Sequence, residues 1–216
     1  MDQMTPPGEI ADTFTRALSN ADYRREPFDY WLLDNMLPRQ TLKALQDLPV
    51  IAPQDAVFDG RRETNNATRV YFNKGAQAQH DVVRKMADAF RHAQTVQAIE
   101  KATGTDLSTG QLRIEYCVDT DGFWLEPHTD ISVKLFTMLI YLSEDPNLAD
   151  AGTDIYDASP DHNYLGSAPY AANAGLIFIP GQDTWHGFRQ RPIKGIRTSL
   201  IINFVTPDWR DTWELC

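Results

Sequence analysis

The sequence has 216 residues, of which 42% are hydrophobic and 23% charged, a composition that supports a folded core and excludes an intrinsically disordered chain. Thirty acidic residues against twenty basic ones give a formal charge of −10 at pH 7. Such a protein gains nothing from counterion release on nucleic acid and is repelled by an anionic membrane surface, so we expect neither partner. Residues 1–17 have neither the basic nor the apolar part of a signal peptide, which favours a cytoplasmic protein.

The first half of the chain has mainly helical patterns. A proline at a helix start, followed by leucines at helical spacing, predicts a helix over 38–48. Apolar residues recur at helical spacing over 76–103 and predict one long amphipathic helix. Two short apolar and aromatic runs, 28–33 and 68–72, predict strands.

The second half changes to short β-branched and aromatic runs separated by turn residues, which predicts a sandwich, a jelly roll or a barrel. The predicted strands are 112–118, 135–142, 153–156, 175–179, 184–188 and 198–205. The length favours a single domain, 1–216. In it, a helix-rich half with a few strands, 1–110, buttresses a β core formed by 111–206.

His128 and Asp130 are a candidate metal-binding pair. Side chains two residues apart on an extended segment project from the same face, so the imidazole and the carboxylate point together. The H-x-D pattern alone occurs often by chance. It gains support from His186, which follows an apolar strand and a Pro-Gly turn, because two histidines and a carboxylate make the facial triad of non-haem Fe(II) oxygenases.

Arg197 opens the almost wholly apolar run that ends the predicted core. A guanidinium group there is costly to bury unless an anion meets it. The distal carboxylate of a 2-oxo-diacid would match its fork of donors. The charges of Fe²⁺, Asp130, Arg197 and such a dianion cancel, which a partly desolvated site tolerates.

The order of these residues, His-x-Asp, then His, then Arg-x-Ser on a β-rich half, resembles the Fe(II)/2-oxoglutarate-dependent oxygenases and is most similar to their prolyl-4-hydroxylase-like branch. The resemblance covers residues 112–205. It implies a mainly β fold with flanking helices, namely a double-stranded β-helix (a cupin-like jelly roll) with the metal at its open end. It also implies an enzyme, a dioxygenase that uses Fe(II), 2-oxoglutarate and O2, hydroxylates an unactivated C–H bond and releases succinate and CO2.

Carried over residue by residue, the resemblance implies that His128, Asp130 and His186 bind iron. It implies that Arg197 binds the C5 carboxylate of 2-oxoglutarate. The further candidates for cosubstrate binding are Ser199, Tyr116, Tyr141 and Thr137. For each tyrosine, a core aromatic on a strand is an equally good interpretation.

Two positions separate this chain from other branches of the family. Asp130 is a ligand where a halogenating relative needs a residue that cannot bind metal. Asn203 stands where the branch that demethylates alkylated bases has a second arginine. The first position disfavours halogenation, and the second agrees with the acidic charge in disfavouring nucleic-acid repair.

The candidates for substrate contact are Trp124, Arg69, Lys134 and Arg189. One hypothesis is that a basic residue among them meets an anionic group of the substrate. The alternative is solvated surface charge for the three basic residues and packing for the tryptophan. The sequence leaves open whether the substrate is a small molecule or a peptidyl residue, and it leaves the oligomeric state open.

Two other functions use the same residues differently. A zinc metallohydrolase would bind zinc at the His-Asp-His site and use Glu126 as its general base. A non-catalytic cupin-like domain would only bind or support a partner. Neither alternative gives Arg197 a role, and a buried guanidinium without an anion benefits no scaffold.

Overall fold

A computed structural model describes residues 7–52, 54, 56–61 and 68–216. The helices in these residues are α1 (Pro7–Ser19), α2 (Arg39–Gln46), α3 (Lys74–Gln79), α4 (Asp81–Arg91) and α5 (Ala93–Thr103). The strands of the first half are β1 (Asp22–Arg24), β2 (Tyr30–Leu33) and β3 (Arg69–Tyr71). The strands of the second half are β4 (Gln111–Asp119), β5 (Leu125–His128), β6 (Lys134–Tyr141), β7 (Asp154–Tyr156), β8 (Tyr164–Ser167), β9 (Gly175–Phe178), β10 (His186–Phe188) and β11 (Arg197–Val205).

The strands form two antiparallel sheets. The large sheet has the order β1-β2-β9-β6-β11-β4-β3, and the small sheet has the order β5-β10-β7-β8. From β4 to β11 the chain passes back and forth between the two sheets, apart from the hairpin of β7 and β8 within the small sheet. This alternation is that of a double-stranded β-helix. The predicted fold class, a mainly β jelly-roll core with flanking helices, is confirmed.

The large sheet is buried on both faces. On β11, Leu200 and Ile202 pack in a core shared with the helices, whereas Ile201 points to the core between the two sheets. On β6, Met138 and Leu139 divide in the same way. Because successive side chains of a strand point to opposite faces, these strands read as apolar runs without alternation.

The first half of the chain contributes strands as well as helices. β2 pairs with β9 and β3 pairs with β4, so both extend the large sheet. Helix α1, which the sequence analysis did not predict, packs on α4 and α5. Its Phe14 ring lies 5.0 Å from that of Phe90. That residues 1–216 form a single domain stays a prediction.

The prediction of one continuous helix over 76–103 is wrong. The segment contains three helices, α3 to α5, with breaks at His80 and His92, whose ψ angles of 116° and 133° are extended rather than helical. At the second break, the Thr95 hydroxyl donates to the Ala89 carbonyl over 2.7 Å. The breaks change the helix direction, so that α4 and α5 both contact α1. No helix among the described residues is long and apolar enough to cross a bilayer.

The predicted strands are confirmed with small shifts of their ends. β10 begins at His186 and not at Thr184, because the Thr184 side chain closes a turn by hydrogen bonds of 3.0 Å with both backbone groups of Gly181. β1, β5 and β8 were not predicted as strands, although the segment that carries His128 was expected to be extended. Both cysteines are free thiols.

Candidate metal centre and its cavity

The structure brings together the three residues predicted as metal ligands. His128 ends β5, His186 begins β10, and the two are direct cross-strand partners. Asp130 follows in the loop that leads to β6. One ligand atom from each residue lies within 4.8 Å of the others, and the two imidazole rings are 4.4 Å apart.

Backbone carbonyls fix the orientation of both imidazoles. Nδ1 of His128 lies 2.8 Å from the Glu126 carbonyl, and Nδ1 of His186 lies 2.9 Å from the Thr184 carbonyl. A carbonyl oxygen only accepts, so each Nδ1 carries the proton and each Nε2 keeps its lone pair for a ligand. Burial, assisted by the neighbouring His128, lowers the pKa of His186 to about 4, which keeps this imidazole neutral.

Two side chains hold the Asp130 carboxylate. Nζ of Lys134 lies 2.5 Å from Oδ1, and the Thr137 hydroxyl donates to Oδ2 over 2.6 Å. Burial alone would raise the pKa of Asp130, but the lysine charge and these hydrogen bonds hold it well below its usual range. An ionised carboxylate beside two imidazoles is a donor set that fits Fe(II) and other divalent metals.

The triad opens into a cavity of about 400 Å³. Its wall near the triad includes Thr137 and Leu139 of β6, together with Phe188 of β10. Arg197, the first residue of β11, lies on the same wall. The sequence analysis expected the triad and this arginine to share a site, and the fold places them in one cavity.

Arg197 is buried and has a partner within the chain. Its Nη1 donates to Oδ2 of Asp119 over 2.6 Å, and its Nε donates to the Ala151 carbonyl over 2.7 Å. Its Nη2 makes no hydrogen bond with the described residues. The sequence analysis expected an anion at this arginine but did not identify Asp119.

Arg69 lies in the same buried cluster. Its Nη1 donates to Oδ1 of Asp119 over 2.6 Å and to the hydroxyl of Thr68, and only 8% of the residue is exposed. The alternative of a solvated surface charge is therefore wrong for Arg69. The residue lines the cavity because β3 pairs with β4 beside Cys117.

Charged side chains continue along the wall beyond Arg69. Nη1 of Arg113 lies 2.9 Å from Glu115 and its Nε lies 2.5 Å from Glu214. The cations that line the described wall with largely buried side chains are Arg69, Arg113, Lys134 and Arg197, and the carboxylates are Glu115, Asp130 and Glu214. Asp119, which binds Arg69 and Arg197, is fully buried beside them. These charges cancel, so a divalent cation and a dianion would together leave the site neutral.

The two tyrosines lie away from the cavity. Tyr116 points into the core beside the helices, where burial raises its pKa to about 12. Tyr141 lies between the sheets; its hydroxyl donates to the Thr153 hydroxyl over 3.0 Å and accepts from the Thr153 amide over 3.1 Å. Neither contributes to the described cavity wall. Ser199 is fully buried on the same face of β11 as Arg197, and its hydroxyl has no hydrogen-bond partner.

The other substrate candidates differ in position. Lys134 lies in the cavity, at Asp130. The Trp124 ring packs on Gly60, where a Cβ atom would lie 2.4 Å from the ring, so the packing interpretation fits this residue. Arg189 is exposed, with its guanidinium 3.7 Å from the ring centroid of Tyr164, and it is not part of the described cavity wall.

The alternation of β4 could have identified the residues that the sequence analysis missed. Apolar side chains at 112, 114, 116 and 118 alternate with Arg113, Glu115, Cys117 and Asp119. The even positions pack against the helices, and Arg113 and Glu115 line the cavity. The same alternation places Tyr116 on the face away from the metal centre.

No protein-family model matches the sequence, and no curated protein matches it significantly. Solved structures do match its fold. A Pseudomonas putida prolyl-4-hydroxylase aligns over 91% of this chain and 98% of its own, with 16% identity and a TM-score of 0.56. A Phytophthora capsici prolyl 4-hydroxylase aligns over 96% of this chain and 67% of its own, with 14% identity and a TM-score of 0.59.

The non-haem α-ketoglutarate-dependent epimerase SnoN of nogalamycin biosynthesis aligns over 91% of this chain and 82% of its own, with 13% identity and a TM-score of 0.54. The chain thus has the fold shared by these two prolyl 4-hydroxylases and this epimerase. The resemblance to the prolyl-4-hydroxylase-like branch is confirmed as a likeness of fold.

Proposed function

We propose that this protein is an Fe(II)- and 2-oxoglutarate-dependent dioxygenase that hydroxylates an unactivated C–H bond of a small molecule or a peptidyl residue. The observation that carries the proposal is the shared cavity of the His-Asp-His triad and the buried Arg197. A zinc hydrolase or a cupin-like binding domain would give this arginine no ligand to bind.

The chain's own residues suit the separate tasks of such an enzyme. His128, Asp130 and His186 would hold the metal, and Arg197 would bind the distal carboxylate of 2-oxoglutarate. Bound there, Fe(II) would supply the oxidative chemistry that couples decarboxylation of the cosubstrate to hydroxylation. Leu139, lining the same wall, excludes water from the interior, which strengthens the charge interactions of the site.

The substrate class stays broad in this proposal. A Trichoplax adhaerens prolyl hydroxylase, solved with a peptide fragment of a hypoxia-inducible factor, has the same fold at 13% identity and a TM-score of 0.54. That likeness supports a peptidyl residue as one of the two substrate classes, beside a small molecule.

The test is release of succinate in air by the iron-loaded protein supplied with 2-oxoglutarate. We expect slow, substrate-independent release by the wild type, because cosubstrate decarboxylation in such enzymes proceeds at a low rate without the substrate. His128→Ala and His186→Ala should abolish it. His162→Ala is the matched control, since that imidazole stacks on Trp185 and does not belong to the triad. No succinate from the wild type, or equal release by the triad variants, would contradict the proposal.

A further inference from the structure

Two buried arginines share one carboxylate at the inner wall of the cavity. Asp119 accepts from Arg69 through Oδ1 and from Arg197 through Oδ2, each over 2.6 Å. The Asp119 side chain is fully buried, and the side chains of Arg69 and Arg197 are only 2% and 6% exposed. Within these three residues, one negative charge lies between two positive ones.

Part of the donor capacity of this group is unused. Nε of Arg69 is buried and has no hydrogen-bond partner. An oxygen of Glu115 lies 3.9 Å from this Nε, close enough for an ion pair but beyond hydrogen-bonding distance. The Ser199 hydroxyl, also buried, is unpaired too. Buried donors without partners are rare in folded proteins, and the unpaired Nε of Arg69, a residue that lines the cavity, indicates spare donor capacity for a ligand with acceptor oxygens.

Two further carboxylates of the cavity wall, Glu115 and Glu214, bind Arg113. Glu115, the carboxylate nearest to Arg69 after Asp119, is engaged by Arg113 at 2.9 Å. Arg113 in turn binds Glu214 at 2.5 Å. Glu115 thus lies between Arg69 and Arg113, and Glu214 adds a second carboxylate at Arg113. An anion is therefore favoured beside Arg69 and Arg197, and disfavoured toward Glu214.

The Phe123 ring lies beside both arginines. The guanidinium carbons of Arg69 and Arg197 lie 5.6 Å and 6.0 Å from its centroid. With Asp119 joining them and this ring beside both, the guanidinium groups are fixed relative to each other. A carboxylate that reaches Arg197 therefore enters the field of Arg69 as well.

We propose that Arg69 is a second cosubstrate-binding residue, which forms with Arg197 a paired-arginine site for the distal carboxylate of the 2-oxo acid. The inference rests on the proposed function. It assigns Arg69 to the cosubstrate and not to the substrate. A strand of the helix-rich first half thus contributes to a site whose other residues come from the jelly roll.

The experiment is an anaerobic titration of the Co(II)-loaded protein with 2-oxoglutarate, followed by calorimetry. Arg69→Gln removes the charge and keeps most of the side-chain length. We expect the dissociation constant of 2-oxoglutarate to rise about 10- to 100-fold, the range of a lost charge-assisted contact. The affinity for Co(II) should stay within about twofold, because Arg69 makes no contact with the triad.

Two further variants complete the test. Arg69→Lys keeps the charge and should weaken 2-oxoglutarate binding less than Arg69→Gln, and it replaces that variant if the latter does not fold. Arg189→Gln, at an exposed arginine outside the cavity wall, should change nothing. Unchanged 2-oxoglutarate binding in the Arg69 variants, or equal loss of Co(II) and 2-oxoglutarate, would overturn the inference alone. A wild-type protein that binds Co(II) but no 2-oxoglutarate would overturn the proposed function, and the inference with it.

Discussion

Asp130 shows how residues around a metal centre prepare a ligand. Its two carboxylate oxygens receive hydrogen bonds from Lys134 and Thr137, and the Asn203 amide donates to the same threonine hydroxyl over 2.9 Å. Asn203, which the sequence analysis used only to set aside nucleic-acid repair, thus has a structural task. Partners of this kind orient a ligand and tune its affinity for the metal.

Thr137→Val removes the hydroxyl that donates to Asp130 and keeps the shape of the side chain. We expect metal affinity to fall about 10- to 100-fold, because the carboxylate loses the bond that orients it. Titration with Co(II) measures the change. Thr137→Ser keeps the hydroxyl and should bind Co(II) nearly as well as the wild type, and equal affinity of the valine variant would contradict this role.

Tyr141→Phe tests the position of the second tyrosine. The change leaves the buried Thr153 amide without its acceptor, so we expect the free energy of unfolding to fall by about 1–3 kcal/mol. The affinity for 2-oxoglutarate should not change, because Tyr141 lies behind the described cavity wall. Urea unfolding and cosubstrate titration measure the two quantities. Weaker 2-oxoglutarate binding without a loss of stability would show that the tyrosine contacts the cosubstrate.

The pairing of β5 with β10 is the element that aligns the two histidines. His186 is directly opposite His128, and the next residue, Gly187, allows the strands to approach closely. A Cβ atom at Gly187 would lie 2.8 Å from the Leu125 carbonyl oxygen and 3.0 Å from that of Glu126. Those atoms are backbone, so they cannot move without shifting β5.

Gly187→Ala should therefore move the two histidines apart. We expect both a lower Co(II) affinity and a loss of about 1–3 kcal/mol in the free energy of unfolding, the cost of an overpacked site. Gly8→Ala is the matched control, since its Cβ atom would have no neighbour within 4 Å. If the Gly187 variant bound Co(II) like the wild type, the close approach of β5 and β10 would not position the ligands.

Elements differed in how well the sequence predicted them. The strands of the large sheet other than β1 were predicted because buried apolar runs between turns are a strong local pattern. The helical breaks at His80 and His92 were missed, since neither residue is a glycine or proline and the apolar spacing continues past both. The break at His92 lets α4 and α5 both pack on α1, a tertiary cause that a local pattern does not contain.

At the scale of the whole molecule, strands close in space are distant in sequence. His128 and Asp130 were predicted because they are neighbours in the chain and share an extended segment, and the remote His186 was added because the order of the three residues resembles a known metal triad. The shared contact of Arg69 and Arg197 with Asp119 was not, because it depends on β3 pairing with β4 and β4 pairing with β11. Local spacing carries no information about such pairings between remote strands.

A ligand that binds only the folded chain stabilises the whole molecule. With Mn(II) and 2-oxoglutarate each at about 100 times its dissociation constant, each adds roughly 2.7 kcal/mol. For a chain of this size, that is a rise in Tm of roughly 5–10 °C per ligand. We expect the rise from 2-oxoglutarate to require Mn(II), which differential scanning calorimetry can measure. An equal rise with 2-oxoglutarate alone would place its site away from the metal.

The central claim is that metal and 2-oxoglutarate bind together at the triad. Its most direct test is an anaerobic spectral titration of the Fe(II)-loaded protein with 2-oxoglutarate. We predict a weak visible charge-transfer band that saturates at one equivalent and is lost in His128→Ala. A well-folded, iron-loaded wild-type protein that shows no such band would contradict the account.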